Sequence, residues 1–475
     1  MSQLDEFRVL QEEFSFEPTP DQITAMKHLV AFGISEKPNP LYLLMGYAGT
    51  GKTSLISAFT NWLRKKSEKF VLMTPTGRAA KVLSQYTGFQ AFTIHRRIYM
   101  TVMTSDGRQK MTLSPNRMEN TVYIVDEASM ISDNSVGLGS FEGQGLLDDL
   151  INFVFSRPGN KLLFVGDTAQ LPPVHLNISP ALDLEYLKST YSLTAFAFEM
   201  KDVMRQAQDS GILLSATNLR HKISIEDFSF PFFMQRDFKS DVEIVTDYYR
   251  LEDLFQTAFS SYTQSDSIVV TRSNKSANQF NRQIRNYIQQ KEAVLEAGDQ
   301  IMIVKNNYFW LDSSSKAGFI ANGDLAEIVR LTGEEELYGF HFAAAEVRFV
   351  DYPEEKEMSV KLLLDTLDAN VPSLTEEEQR NLFDAVERDY QHIPNRKKRL
   401  AAMQKDPYFN ALQIKYAYAM TCHKTQGGQW SHVFIDQGFV NEEQMDVEYL
   451  RWLYTAFTRA TEKVYLLGFQ EMFFG

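Results

Sequence analysis

The sequence predicts an α/β protein built on parallel β-sheets and divided into more than one domain. Three observations carry this. Residues 41–45, Leu-Tyr-Leu-Leu-Met, are a short apolar run that passes through a glycine-rich turn into residues 54–63, which have helical periodicity. Residues 121–125 and 161–165 are two further apolar runs. Each ends in a polar loop, as buried parallel strands do where they meet ligands at a sheet's carboxyl edge. At 475 residues the chain also outgrows a single core, so about two to four domains are expected.

The turn reads Gly46-Tyr47-Ala48-Gly49-Thr50-Gly51-Lys52-Thr53, filling every fixed position of a G-x-x-x-x-G-K-T phosphate loop. Glycines let backbone N–H groups curl around phosphate oxygens, and the helix that opens near Ser54 adds a favourable dipole. Lys52 would reach the β- and γ-phosphates and the Thr53 hydroxyl would ligate Mg²⁺. The expected ligand is therefore ATP with Mg²⁺. Asp126-Glu127 follow the run at 121–125. There Asp126 would hold Mg²⁺, directly or through water, and Glu127 would polarise the attacking water. The run at 161–165 leads into Gly166-Asp167-Thr168-Ala169-Gln170-Leu171-Pro172. Gln170 is suited to sensing the γ-phosphate; a polar turn stopped by proline accounts for these residues equally well.

Composition sets bounds without choosing a function. The formal net charge of −13 argues against a surface that attracts nucleic acid everywhere, yet a few well-placed donors suffice for a local groove. A single cysteine excludes a disulfide framework and a multi-cysteine metal centre, and fits a reducing, cytoplasmic setting. The N-terminus lacks the features of a secretory signal, and no apolar stretch is long enough to span a bilayer, so no membrane association is expected.

Taken together and in order, these segments resemble the superfamily 1 helicases, and within them the RecD-like/Dda branch. The resemblance runs over nearly the whole chain. Pro18-Thr19-Pro20-Asp21-Gln22 is similar to the adenine-reading motif, which makes Gln22 a nucleotide ligand; a helix N-terminus accounts for the same residues, and both readings are compatible. Thr74-Pro75-Thr76-Gly77-Arg78 and Thr93-Ile94-His95 resemble two strand-contacting motifs. Val203-Met204-Arg205-Gln206 and Thr455-Ala456-Phe457-Thr458-Arg459 resemble motifs in which Arg205 and Arg459 would act as fingers on the γ-phosphate, a task suited to planar, permanently charged guanidinium. Thr421-Cys422-His423-Lys424-Thr425-Gln426-Gly427 resembles a motif that offers Thr421, His423 and Lys424 to a DNA strand and Gly427 to the nucleotide.

The resemblance implies two RecA-like parallel-sheet domains with ATP between them. The first spans 1–98 and 120–188, the second 189–291 and 412–475. A β-hairpin pin is inserted at 99–119, where alternation flanks Asp106-Gly107 and Met103 and Met111 are the apolar candidates for a duplex junction. A surface hairpin without a wedge role is the bland alternative. An SH3-like barrel with a helical extension is inserted at 292–411. Asn274 is a further strand contact or simply a solvated polar residue. The basic cluster at 396–399 reads best as a solvated helix face.

The function so implied is ATP-dependent 5′-to-3′ movement on single-stranded DNA with strand separation by the pin. An ATP-driven translocase that remodels nucleoprotein and needs a partner to unwind is the nearest alternative. A non-catalytic scaffold predicts loss of Lys52, Glu127 and the arginines, all of which are present. A kinase predicts a chain of roughly half this length. Single-stranded DNA and single/double-strand junctions are the expected partners of a monomer, with single-strand-binding or recombination proteins as candidate associates.

Overall fold

The computed structural model describes residues 2–103, 109–133, 145–174, 176–202, 210–260, 266–311, 319–350, 352 and 355–475. Two parallel sheets, one closed barrel and one hairpin make up its β-structure.

The first sheet has six strands in the order Ala91–Thr93, Lys69–Thr74, Thr121–Val125, Lys161–Gly166, Pro40–Gly46, Thr194–Met200, all parallel. Its side chains alternate between two apolar layers. Tyr42, Leu44, Leu72, Val122, Ile124, Leu163 and Val165 pack under helices Gln3–Glu12, Pro20–Gly33 and Lys52–Lys65. Leu41, Leu43, Val71, Met73, Tyr123, Val125, Leu162 and Phe164 pack on the opposite side against helix Leu146–Phe155. This period of two, with both faces covered, is why the strands read as continuous apolar runs.

The second sheet has five parallel strands in the order Ala419–Thr421, Ser267–Thr271, Trp430–Asp436, Ala460–Leu467, Val242–Val245. The barrel closes through Gln300–Ile303, Leu325–Leu337, Phe340–Phe349, Met358–Leu363 and Leu412–Tyr416. It shares one apolar cluster with a face of the second sheet, joining Ile301, Ile328 and Val347 to Val269, Phe434 and Tyr465. Asn281 seals the junction: its Nδ2 donates to the Tyr416 and Ala419 carbonyls, and its Oδ1 accepts from the Tyr418 and Ala419 amides. Nearby, the fully buried Asp299 accepts from Arg285, Lys291 and the Tyr418 hydroxyl. A buried charge needs such partners, because an unpaired one costs several kcal/mol. Helices Glu376–Asp389 and Arg396–Met403 lean on the barrel's outer end through Phe340 and Phe342.

Two expected boundaries move. Thr194–Met200 pairs along its whole length with Pro40–Gly46, so the first sheet extends to residue 200 rather than ending at 188. Leu412–Tyr416 pairs with Gln300–Ile303 and Met358–Leu363, so it belongs to the barrel rather than to the second sheet. The hairpin joins Tyr99–Met103 to Gln109–Leu113 in antiparallel register, and its Asp106-Gly107 turn lies outside the described residues. Among the described residues no helix is long and apolar enough to cross a membrane.

Candidate active site between the two sheets

Strand Pro40–Gly46 delivers the phosphate loop, and helix Lys52–Lys65 begins directly behind it. Gly49 and Gly51 sit at φ 77° and 82°, a left-handed backbone that glycine adopts without strain. A Cβ on Gly46 would lie 2.7 Å from the Thr50 hydroxyl. That hydroxyl donates to the Tyr47 carbonyl across the turn. Lys52 folds back over the loop, its Nζ donating to the carbonyls of Gly46 (2.6 Å) and Tyr47 (3.0 Å). An incoming phosphate would have to draw the ammonium off these two oxygens.

The loop opens into a cleft of about 430 Å³ lined by Lys52, Thr53, Ser54, Asp126, Glu127, Asp167 and Gln170 from the first sheet. Burial and the neighbouring Glu127 charge hold the Asp126 carboxyl well above the usual carboxylate range. Burial also raises Asp167, and the Lys52 charge opposes the rise at both groups. Glu127 takes φ 55°, an uncommon conformation for a residue with a side chain and one found at functional sites. Gln170 is 7% exposed, and among the described residues its Oε1 has no hydrogen-bond partner. The Thr53 hydroxyl and Asp126 carboxylate are the hard oxygen donors that suit Mg²⁺ carried with a nucleotide, and a divalent cation would relieve the crowding of the carboxylates.

The opposite wall comes from the second sheet: Gly427, Gly428, Gln429, Thr458 and Arg459. Arg459 is 3% exposed and is fixed by bonds to the Thr455 carbonyl, the Gly428 carbonyl and the Thr458 hydroxyl. Arg205 lies outside the described residues.

Residues 17–226 match the AAA domain family, and residues 416–467 match the UvrD-like helicase C-terminal domain. The first match carries the phosphate loop, Asp126-Glu127 and Gln170; the second carries Gly427 and Arg459, on the facing wall of the same cleft. Together the two matches make the chain similar to the RecD-like superfamily 1 helicases. It is 33% identical over 184 residues to the ATP-dependent RecD2 DNA helicase of Deinococcus radiodurans, covering 38% of this chain. The chain spans 22% of the length of that relative. It is 23% identical over 514 residues to an uncharacterized protein of Acanthamoeba polyphaga mimivirus, covering 95% of this chain and 99% of that one. Among solved structures it is similar to Pif1 helicase from Bacteroides in complex with ADP-AlF3 and ssDNA, at 14% identity, 96% and 94% coverage and a TM-score of 0.49.

In this chain the expected adenine ligand Gln22 is placed otherwise. It is fully buried, its Nε2 donates to the Thr50 carbonyl (2.9 Å) and its Oε1 accepts from the Thr19 amide (2.9 Å). Both ends of the amide are engaged, so the residue braces the phosphate loop and caps helix Pro20–Gly33 instead of facing a base.

Two strand ends repeat one device. Thr74 and Thr271 are fully buried, and each donates its hydroxyl to the carbonyl two residues on, at Thr76 and Ser273. Thr76 and Ser273 then cap helices Gly77–Thr87 and Asn274–Gln283. Pro75, Thr76 and Asn274 are half-buried on these turns. Thr93 and Thr421 likewise stand at strand ends and open helices, with Thr93 buried. Arg78 points across the gap: it donates to the Gln429 carbonyl, and its guanidinium lies 3.8 Å from the centre of the Trp430 ring. It joins the two sheets in this arrangement rather than facing a DNA strand.

Burial pushes His95 down to about 4 and also lowers His423. A neutral His95 offers hydrogen bonding or ring contact to a strand, not charge. Lys424 donates to the Asn322 side chain, and burial brings it down to about 8. Met111 is 5% exposed and packs with Ile94, Ile98 and Tyr99 at the hairpin's foot, so it is a core residue and not a junction contact. Met103 ends the first hairpin strand, and its side chain lies outside the described residues.

Asp167, Tyr47 and Tyr454 belong to the site as well, without a role that their motifs assign. Asp167 follows the end of a buried strand as Asp126 does, and that signal alone marks it. Tyr47 lies under the Arg220 guanidinium at 4.2 Å, a contact from the second sheet's helix Gly211–Ser224 that no local pattern announces.

Proposed function

We propose that the protein is an ATP-driven motor that moves 5′-to-3′ along single-stranded DNA and opens duplex ahead of it. One observation carries the reading: a single cleft is walled by the phosphate loop and carboxylates of one sheet and by Arg459 and Gly427 of the other. A nucleotide in that cleft would touch both walls, so its binding and loss would change their separation. Lys52 would exchange its two loop carbonyls for phosphate oxygens, Glu127 would take the proton of the attacking water, and Arg459 would meet charge developing on the transferred phosphoryl group. Mg²⁺, held by Thr53 and Asp126, would neutralise phosphate charge. The hydroxyl-capped turns at 74–76, 93–95 and 271–274, with the Thr421 strand end, close strands of both sheets and supply uncharged hydroxyl donors for a sugar–phosphate backbone, which accommodates the net charge of −13. On this reading the first motor domain is 1–98 and 120–200, the second is 201–299 with 417–475, and the barrel with its helices is 300–416.

The experiment is ATP-dependent strand displacement on matched duplexes with a 5′ tail or a 3′ tail. Unwinding of the 5′-tailed duplex alone is expected. Unwinding of the 3′-tailed duplex alone would overturn the polarity.

The burial of Met111 favours a second reading, a translocase that needs a partner to separate strands. Replacing residues 100–112 by a short turn discriminates. A pin predicts that single-strand-stimulated ATPase persists while unwinding falls by at least about tenfold, which corresponds to about 1.4 kcal/mol of lost coupling. Unchanged unwinding would remove the hairpin from the mechanism.

A further inference from the structure

The loop that carries Gln170 is gripped from the other side of the cleft. Tyr454, on helix Val447–Phe457 of the second sheet, is 1% exposed and donates its hydroxyl proton to Asp167 Oδ2 at 2.6 Å. The Tyr454 hydroxyl oxygen itself accepts from the Ala48 amide of the phosphate loop at 2.8 Å. One residue further along the helix, the Thr455 hydroxyl accepts from the Leu171 amide at 2.9 Å. Gln426 donates to the Leu171 carbonyl at 2.7 Å. Thus both backbone groups of Leu171, the neighbour of Gln170, and the carboxylate of Asp167 are held by side chains of the second sheet. Asp167 in turn fixes its own turn by accepting from the Ala169 amide at 2.9 Å.

We propose that Tyr454 is a positioning residue that ties the phosphate loop and the Gln170 loop to the second sheet, so that hydrolysis proceeds at full rate only when the halves are closed. Its hydroxyl bonds to both nucleotide-facing loops from across the cleft. Arg459 lies five positions on in the chain, just past the end of the same helix, so a shift of that helix moves the finger, the Ala48 amide and the Gln170 loop together. The buried aromatic ring supplies packing whether or not the hydroxyl is present. The two bonds are therefore separable from the core contribution of the side chain.

Tyr454→Phe tests this, and the inference rests on the motor reading above. Steady-state ATPase is measured with saturating single-stranded DNA, alongside thermal melting. The expected result is a kcat at least about tenfold lower with KM for ATP within about twofold of the parent, because a bond that matters mainly in the closed, reacting state moves kcat and not ground-state binding. In a cycle with Asp167→Asn, the double variant should be no slower than the slower single variant, as residues acting through one bond are not additive. A kcat within twofold of the parent, or additive losses, overturns the proposal while leaving the motor reading intact. A parent without DNA-stimulated turnover overturns both. Should Tyr454→Phe melt too low to assay, Thr455→Val, which removes the Leu171 bond at nearly constant volume, must show the same split of kcat from KM, and an unchanged kcat there overturns the proposal.

Discussion

Lys52→Ala is expected to lower ATP turnover by at least about 10²–10³-fold, the range seen when a preorganised donor to developing charge is removed. The Lys52 ammonium is the positive charge that offsets Asp126 and Asp167 in the cleft. Its two bonds, to the Gly46 and Tyr47 carbonyls, also hold the loop in its curled shape. Alanine therefore removes the phosphate donor and leaves the carboxylates without that countercharge, which further repels a triphosphate. Phosphate release at saturating single-stranded DNA, titrated with ATP, measures the effect. Thermal melting separates it from unfolding: helix Lys52–Lys65 keeps Leu55, Phe59 and Trp62 in the core, so the fold should survive. Turnover near the parent rate would remove the cleft from the mechanism altogether.

The sheets were legible where local sequence decides the structure. Residues 41–45, 121–125 and 161–165 are apolar on both faces because helices cover both, and glycine is required where Gly49 and Gly51 turn left-handed. The barrel was expected from the family resemblance alone, which implied it at 292–411. What escaped the reading depends on distant partners. Thr194–Met200 is a half-exposed edge strand, and only its pairing with a segment about 150 residues earlier assigns it to the first sheet. Gln22 carries the same side chain whether it reads a base or braces a loop, and the choice is made by the Thr50 carbonyl above it. Arg78 and Met111 were assigned outward roles by motif and by alternation. Trp430 draws the first across to the other sheet, and the cluster under the hairpin takes the second. Tyr454 stands inside a recognised motif without a stated role, since its two acceptor and donor partners lie about 290 and 410 residues away in sequence.

These misses share a cause that bears on how the site works. Gln22, Arg78 and Tyr454 each bond to a nucleotide-facing loop or to the opposite wall rather than to a ligand of their own. A motif shows which residue types recur around the chemistry. It does not separate a residue that touches substrate from one that holds the toucher in place. On the motor reading proposed above the two walls move relative to one another, and the second group is then as necessary as the first.

Glu127→Gln should separate nucleotide binding from hydrolysis. Gln keeps the length and a hydrogen-bonding oxygen but cannot accept a proton, so loss of a general base predicts a fall in turnover of about 10²–10⁴-fold. Binding should be preserved or tightened: burial raises Asp126 and the Glu127 charge raises it further, so removing that charge lessens repulsion of the triphosphate. The strained backbone at φ 55° supports this assignment: the chain holds Glu127 in an unfavourable conformation between the strand end and the short turn at Ala128–Met130, which aims its side chain independently of that of Asp126. Equilibrium binding of a fluorescent ATP analogue, read beside single-turnover hydrolysis, is the measurement. Retained binding with lost hydrolysis fits a base. Loss of both would make Glu127 a binding group and shift the search for the base to Asp167, a buried carboxylate of the same cleft. Hydrolysis at the parent rate would mean that the water is activated without Glu127, and the roles assigned to the strand-end pair would have to be redrawn.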